Sequence, residues 1–203
     1  MSRIKICGLT RSQDVEAVNQ YLPDYIGFVF AVSKRQVSLQ KARHLKAELS
    51  PRVLAVGVFV DHPLQEILSL TEDGTIDLIQ LHGNEDEVFI RQVKAVTGKP
   101  VIKAVSVREP GDITEWQDSE ADYLLFDCGR GGTGETFDWN CLKQSEVMKK
   151  PYFLAGGLNG ENLNAALAFA PYCVDISSGA EHEGRKDRDQ IRKLIEMTRA
   201  ERV

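Results

Sequence analysis

The chain has 203 residues, 42% of them hydrophobic and 27% charged, enough apolar side chains for a substantial core in one large domain or two small ones. A formal net charge of −5 leaves no basic surplus of the kind that accompanies nucleic-acid binding. The N-terminal stretch Met1-Ser2-Arg3-Ile4-Lys5-Ile6-Cys7 has no long apolar run, which argues against a signal peptide or membrane span and for a cytoplasmic protein.

In chain order, strand-like runs occur at residues 3–7, 25–30, 53–60, 77–82, 100–105, 123–127, 152–155 and 173–177. Helix-period stretches lie between and after them, at 12–21, 39–49, 63–72, 85–97, 113–117, 139–147, 161–169 and 187–199. The spacing of about 25 residues per unit makes eight βα units with no linker or low-complexity segment. Alternating β and α predicts a parallel sheet, and eight units predict a closed (β/α)8 barrel, one domain over residues 1–203. A doubly wound open sheet is the competitor. It would carry a G-x-G-x-x-G after the first strand, and Cys7-Gly8-Leu9-Thr10-Arg11-Ser12 is not one.

Local chemistry marks several boundaries. Ser12 or Thr10 can cap the first helix, Asp138 the sixth and Asn159 the seventh, each offering an oxygen to free backbone N–H groups. Pro63 suits a first helical turn, and Gly98 ahead of Pro100 is a helix stop. The four cysteines, Cys7, Cys128, Cys141 and Cys173, are scattered without a C-x-x-C pair, so reduced thiols are expected rather than zinc ligands or disulfides.

Side chains alternate between the faces of a strand. On the first run this places Ile4 and Ile6 toward the outer helices and Lys5 with Cys7 toward the lumen; Gln80 shares a face with His82, Asp127 with Leu125, and Asp175 with Ser177. Polar residues near strand C-termini matter, because barrel active sites are built there. The run Tyr123-Leu124-Leu125-Phe126 delivers Asp127 into Cys128-Gly129-Arg130-Gly131-Gly132-Thr133-Gly134, where an acid beside a glycine-rich loop suits proton transfer; a β-turn with a solvated Asp is the alternative.

Set side by side, the strand ends carry a family pattern. Lys5-Ile6-Cys7-Gly8-Leu9-Thr10, Gly27-Phe28-Val29-Phe30, Gln80-Leu81-His82-Gly83, Gly131-Gly132-Thr133-Gly134 with Phe137-Asp138-Trp139, Leu154-Ala155-Gly156-Gly157-Leu158 and Val174-Asp175-Ile176-Ser177-Ser178-Gly179 resemble phosphoribosylanthranilate isomerase, in the right order from first strand to last helix. Two loops depart from the pattern: Ala31-Val32-Ser33-Lys34-Arg35 is shorter, and Ala180-Glu181-His182-Glu183-Gly184-Arg185 is more charged.

The resemblance implies an Amadori rearrangement in tryptophan biosynthesis, a reaction needing no redox step, metal or cofactor. It implies Cys7 as general base and Asp127 as general acid. Reference pKa values of about 8.5 for a thiol and 3.9 for a carboxyl oppose those roles near neutrality. The expectation is therefore a site that favours thiolate at Cys7, helped by Lys5 and a following helix N-terminus, and a protonated Asp127. The substrate phosphate is expected at Gly156, Gly157, Ser178 and Gly179, after strands seven and eight.

Arg35 is expected to match the anthranilate carboxylate; a solvated charge is the alternative. Asp175 is expected on the sugar or its amine nitrogen, or else as a structural partner of Lys5 or Lys103. His82 is expected to line the anthranilate pocket, or to be a hydrogen-bonded barrel histidine, while His44, His62 and His182 read as surface residues. The glycines at 131–134 suit a loop that closes over substrate. The implied partner is one small molecule, with no nucleic acid or membrane, for a monomer or homodimer. Rival readings are another phosphosugar barrel, such as an epimerase or a lyase, and a non-catalytic phosphate-binding barrel. The first would want more histidines at strand ends, and the second would not need Cys7 with Asp127.

Overall fold

The computed structural model describes residues 2–127, 138–144 and 148–200. Eight parallel strands close into a barrel in sequence order: β1 Arg3–Cys7, β2 Tyr25–Val29, β3 Leu54–Phe59, β4 Leu78–Leu81, β5 Val101–Ser106, β6 Tyr123–Asp127, β7 Tyr152–Leu154 and β8 Cys173–Ile176. β8 pairs back onto β1 with Asp175 opposite Lys5, and on the other side Cys7 stands opposite Gly27 of β2. Each strand is followed by a helix: α1 Ser12–Tyr21, α2 Leu39–Glu48, α3 Leu64–Glu72, α4 Glu87–Thr97, α5 Pro110–Glu115, α6 Asn140–Gln144, α7 Leu163–Leu167 and α8 Arg188–Ala200.

Pleat alternation divides the apolar residues into two cores. Ile4, Ile6, Phe28, Leu124 and Phe126 face outward and pack under the helices. Tyr25, Val56, Leu78, Ile102, Leu125 and Phe153 fill the lower lumen. Rings close the N-terminal end: Tyr123 lies on Tyr172 at 4.9 Å, and the Arg3 guanidinium sits 4.5 Å over the Tyr172 ring. Above this plug the lumen turns polar, with Lys5, Gln80, Cys7, Asp127 and Asp175 toward the C-terminal mouth.

Gly98 ends α4 with a φ of 62°, and Asp138 accepts from the Asn140 N–H at 2.9 Å, as the local chemistry predicts. The first helix differs. Arg11 is its N-cap, because Asp14 reaches back and accepts from the backbone N–H groups of Thr10 and Arg11 at 2.8 and 2.9 Å. At the seventh helix, Asn159 accepts from the Glu161 N–H, but the helix proper starts after Asn162. The fifth helix begins earlier than its periodicity suggests, since Pro110 opens its first turn and Asp112 accepts from the Arg108 and Glu109 N–H groups. A small antiparallel hairpin, β9 Glu181–His182 and β10 Arg185–Lys186, follows β8 and has no counterpart in the sequence reading.

Candidate active site

A cavity of about 550 Å³ opens at the C-terminal mouth, within the size range of small-molecule sites. Cys7, Arg35, His82, Asp127, Gly156, Gly157, Asp175 and Ser178 all contribute to its wall. Residues from six strand ends or the loops after them thus meet at one opening.

Cys7 ends β1, and its sulfur lies over the backbone of Gly27: a Cβ there would sit 2.6 Å from Sγ, so only glycine leaves room. Beneath it, the fully buried Lys5 donates to Asp175 Oδ2 at 2.7 Å and to Gln80 Oε1 at 2.8 Å. Burial alone would lower the lysine's pKa, but the charge and hydrogen bond of Asp175, with a further contribution from Cys7, more than reverse this and hold it protonated. Asp175 is therefore the partner of Lys5, while Lys103 pairs with Glu85 at 2.9 Å. The other Asp175 oxygen, Oδ1, is buried with no hydrogen-bond partner among the described residues.

The expectation of a thiol biased toward thiolate is corrected. Burial pushes Cys7 up, Lys5 pulls it down, Asp175 pushes it up and Lys186 pulls it down; the balance lies above the ordinary thiol value. Desolvation prevails because the sulfur sits deep in the wall while its nearest cation is already matched by Asp175.

Asp127, at the end of β6, lies 3.6 Å from His82 Nε2, and His82 Nδ1 lies 2.7 Å from Gln80 Nε2. His82 is thus a hydrogen-bonded barrel histidine that also faces the cavity. Among the other histidines, His44 and His182 are at the surface. His62 is half-buried, with its ring 5.4 Å from that of Phe59 and its Nε2 2.9 Å from Glu66.

Arg35 is not a solvated charge. Its Nε and Nη2 engage Glu181 at 2.6 and 2.9 Å, and its stem lies against Gly8, where a Cβ would come 2.5 Å from Arg35 Cδ. Glu181 also accepts from Lys186 at 2.6 Å, and Lys186 donates to the Ser177 carbonyl at 2.9 Å. Burial would raise the Glu181 pKa, yet the hydrogen bonds from Arg35 and Lys186 bring it down to about 2. The charged eighth loop is therefore folded against the second loop, a pairing that no local motif signals.

Gly156 and Gly157 line the mouth at φ 86° and 59°, conformations open to glycine, with the Gly157 carbonyl held by the side chains of Asn159 and Asn162. Ser178 joins them in the wall. Gly179 packs behind it, so close that a Cβ would lie 2.0 Å from the Leu158 carbonyl oxygen. The 131–134 glycines and Phe137 lie outside the described residues. No described helix is long and apolar enough to cross a membrane.

Comparison with known proteins gives the same answer along almost the whole chain. Residues 4–197 match the family described as N-(5'phosphoribosyl)anthranilate (PRA) isomerase. The N-(5'-phosphoribosyl)anthranilate isomerase of Endomicrobium trichonymphae is 44% identical, over 98% of this chain and 100% of its own. The crystal structure of the phosphoribosyl anthranilate isomerase of Thermus thermophilus superposes with a TM-score of 0.89 at 36% identity, covering 98% of each chain. A phosphoribosyl anthranilate isomerase in complex with reduced 1-(o-carboxyphenylamino)-1-deoxyribulose 5-phosphate superposes with a TM-score of 0.85 at 33% identity, covering 98% of this chain and 100% of that one.

Proposed function

The chain belongs to the N-(5'-phosphoribosyl)anthranilate isomerase family, and from that premise we propose how its own residues carry out the reaction. The protein converts N-(5-phosphoribosyl)anthranilate, an aminoaldose, into the aminoketose 1-(2-carboxyphenylamino)-1-deoxyribulose 5-phosphate, the Amadori rearrangement of L-tryptophan biosynthesis.

Asp127 protonates the furanose oxygen as the C1–O bond breaks and the amine nitrogen forms an iminium. The cation makes the C2 proton acidic, and Cys7 removes it to give an enolamine, which tautomerises to the ketone. Cys7 is then a base whose anion the resting site disfavours. The iminium itself supplies the missing stabilisation, because a cation formed beside the sulfur lowers the cost of thiolate at the step that needs it.

The two substrate anions take separate ends of the cavity. Gly156, Gly157, Ser178 and Gly179 receive the phosphate through backbone N–H groups. Arg35 receives the anthranilate carboxylate through its second fork, Nη1 with Nη2, because Nε and Nη2 already hold Glu181. The buried Asp175 Oδ1, which has no hydrogen-bond partner among the described residues, accepts from a sugar hydroxyl or the amine. His82 lines the anthranilate side. The protein works as a cytoplasmic monomer or homodimer, with this small molecule and no nucleic acid as its partner.

The observation that carries this reading is the meeting of Cys7 and Asp127 in one cavity wall that also holds an arginine and a pair of positive-φ glycines. With freshly made phosphoribosylanthranilate, the purified protein is expected to discharge the anthranilate-type fluorescence. Cys7→Ala and Asp127→Asn should each lower turnover by at least ~10²-fold while a reduced product analogue still binds. Near-normal turnover in either variant removes that residue from its role.

A further inference from the structure

Lys5, Gln80 and His82 form a hydrogen-bonded row through the buried lumen toward Asp127, and the first member dictates the direction of every bond in it. An ammonium only donates, so Gln80 Oε1, at 2.8 Å from Lys5 Nζ, must be the acceptor. The amide then turns Nε2 toward His82 Nδ1, at 2.7 Å. The opposite amide orientation would set an NH2 group against the ammonium, two donors facing each other where Lys5 is fully buried and Gln80 is 1% exposed. Because Nε2 of an amide also only donates, His82 Nδ1 must accept, and an accepting ring nitrogen carries no proton. In the neutral ring the proton therefore sits on Nε2, the atom 3.6 Å from Asp127 Oδ2.

We propose that Lys5 and Gln80 are positioning residues that hold His82 in its Nε2–H tautomer, so that the ring presents a hydrogen-bond donor to Asp127. The chemical consequence rests on the reading of Asp127 as general acid. When Asp127 gives its proton to the sugar oxygen, a carboxylate forms in front of an N–H, and a charge-assisted hydrogen bond stabilises it. The opposite tautomer would present a lone pair there and oppose that charge.

Nitrogen-15 spectra of the imidazoles, with the His82 signals identified by their loss in His82→Asn, read the tautomer directly. At a pH where the ring is neutral, the wild-type protein is expected to show a protonated Nε2 and a bare Nδ1. Gln80→Glu inverts the logic: a carboxylate accepts both from Lys5 and from an Nδ1–H, so the tautomer should switch. Its kcat should fall about ten- to a hundredfold, the effect of losing a hydrogen bond to a charged group, with KM within about twofold. An Nδ1–H ring in the wild type, or an unswitched tautomer in Gln80→Glu, overturns the proposal. A switched tautomer with unchanged kcat overturns the role given to the donor. If the wild-type ring is Nε2–H but Asp127→Asn keeps its turnover, the acid assignment fails and the tautomer assignment stands.

Discussion

A thiol is a poor choice of base in a place that discourages its anion, and Cys7 is in such a place. Burial raises its pKa, and the two cations that act against this, Lys5 and Lys186, are each bound to a carboxylate. The sign of the pH dependence follows. A carboxyl general acid ionises below a thiol base, so the active pair, neutral acid with thiolate, is a minority whose fraction is constant between the two titrations. Above the thiol's own titration the thiolate is complete and the neutral acid keeps declining, so kcat/KM falls. Since Cys7 lies above the ordinary thiol value, the alkaline limb is expected past pH 9, measured by initial rates across pH at low substrate. A decline that begins at neutrality would place the thiol below its ordinary value and contradict the burial argument. The residues beside Cys7 were partly legible: strand parity puts Lys5 on its face, and Gly27 appears in a recognisable motif. The net direction of the thiol's shift was not, because it sums burial with three charged groups on β1, β8 and β10.

At the scale of elements, the hairpin of β9 and β10 does more than its two-residue strands suggest. Its Glu181 and Lys186 latch Arg35, which comes from the loop after β2, at the cavity mouth. The Glu181 carboxyl falls from 4.5 to about 2 in this setting. A depressed carboxyl contributes stability that is fully present above its unfolded pKa and disappears as pH falls through the folded one. The Glu181→Gln variant should therefore be less stable than wild type by on the order of 3 kcal/mol at neutral pH, with the gap closing between about pH 4.5 and 2. Urea melts across that range measure it, and a gap independent of pH would refute the latch. The same variant should raise KM, because an unlatched Arg35 must be ordered by the substrate. Sequence pattern could not show this pairing. The residues are 146 positions apart, and strands of two residues carry no periodic signal.

The whole molecule separates stability from chemistry along the barrel axis. Below the polar layer, Phe153 is fully buried among Tyr25, Tyr123 and Tyr172 and does not itself line the cavity. Phe153→Ala should cost about 3–5 kcal/mol of folding free energy, read as a lower urea midpoint, while kcat of the folded fraction stays near wild type. An unchanged midpoint would mean that the lower lumen is not the packed plug its ring contacts describe. The eight-unit architecture, the closed barrel and the family were legible in the sequence alone. The βα units announce themselves through short apolar runs followed by stretches of helical period, and the strand-end motifs are short stretches of contiguous chain. Only the tertiary structure decided which charges meet. Lys5 chooses Asp175 rather than Lys103 doing so, Glu181 takes Arg35, and the amide of Gln80 transmits the direction of one ammonium to His82. Those outcomes depend on burial and on distances of under 4 Å between residues far apart in the chain, and electrostatic energies at that range are set by geometry that no local pattern encodes.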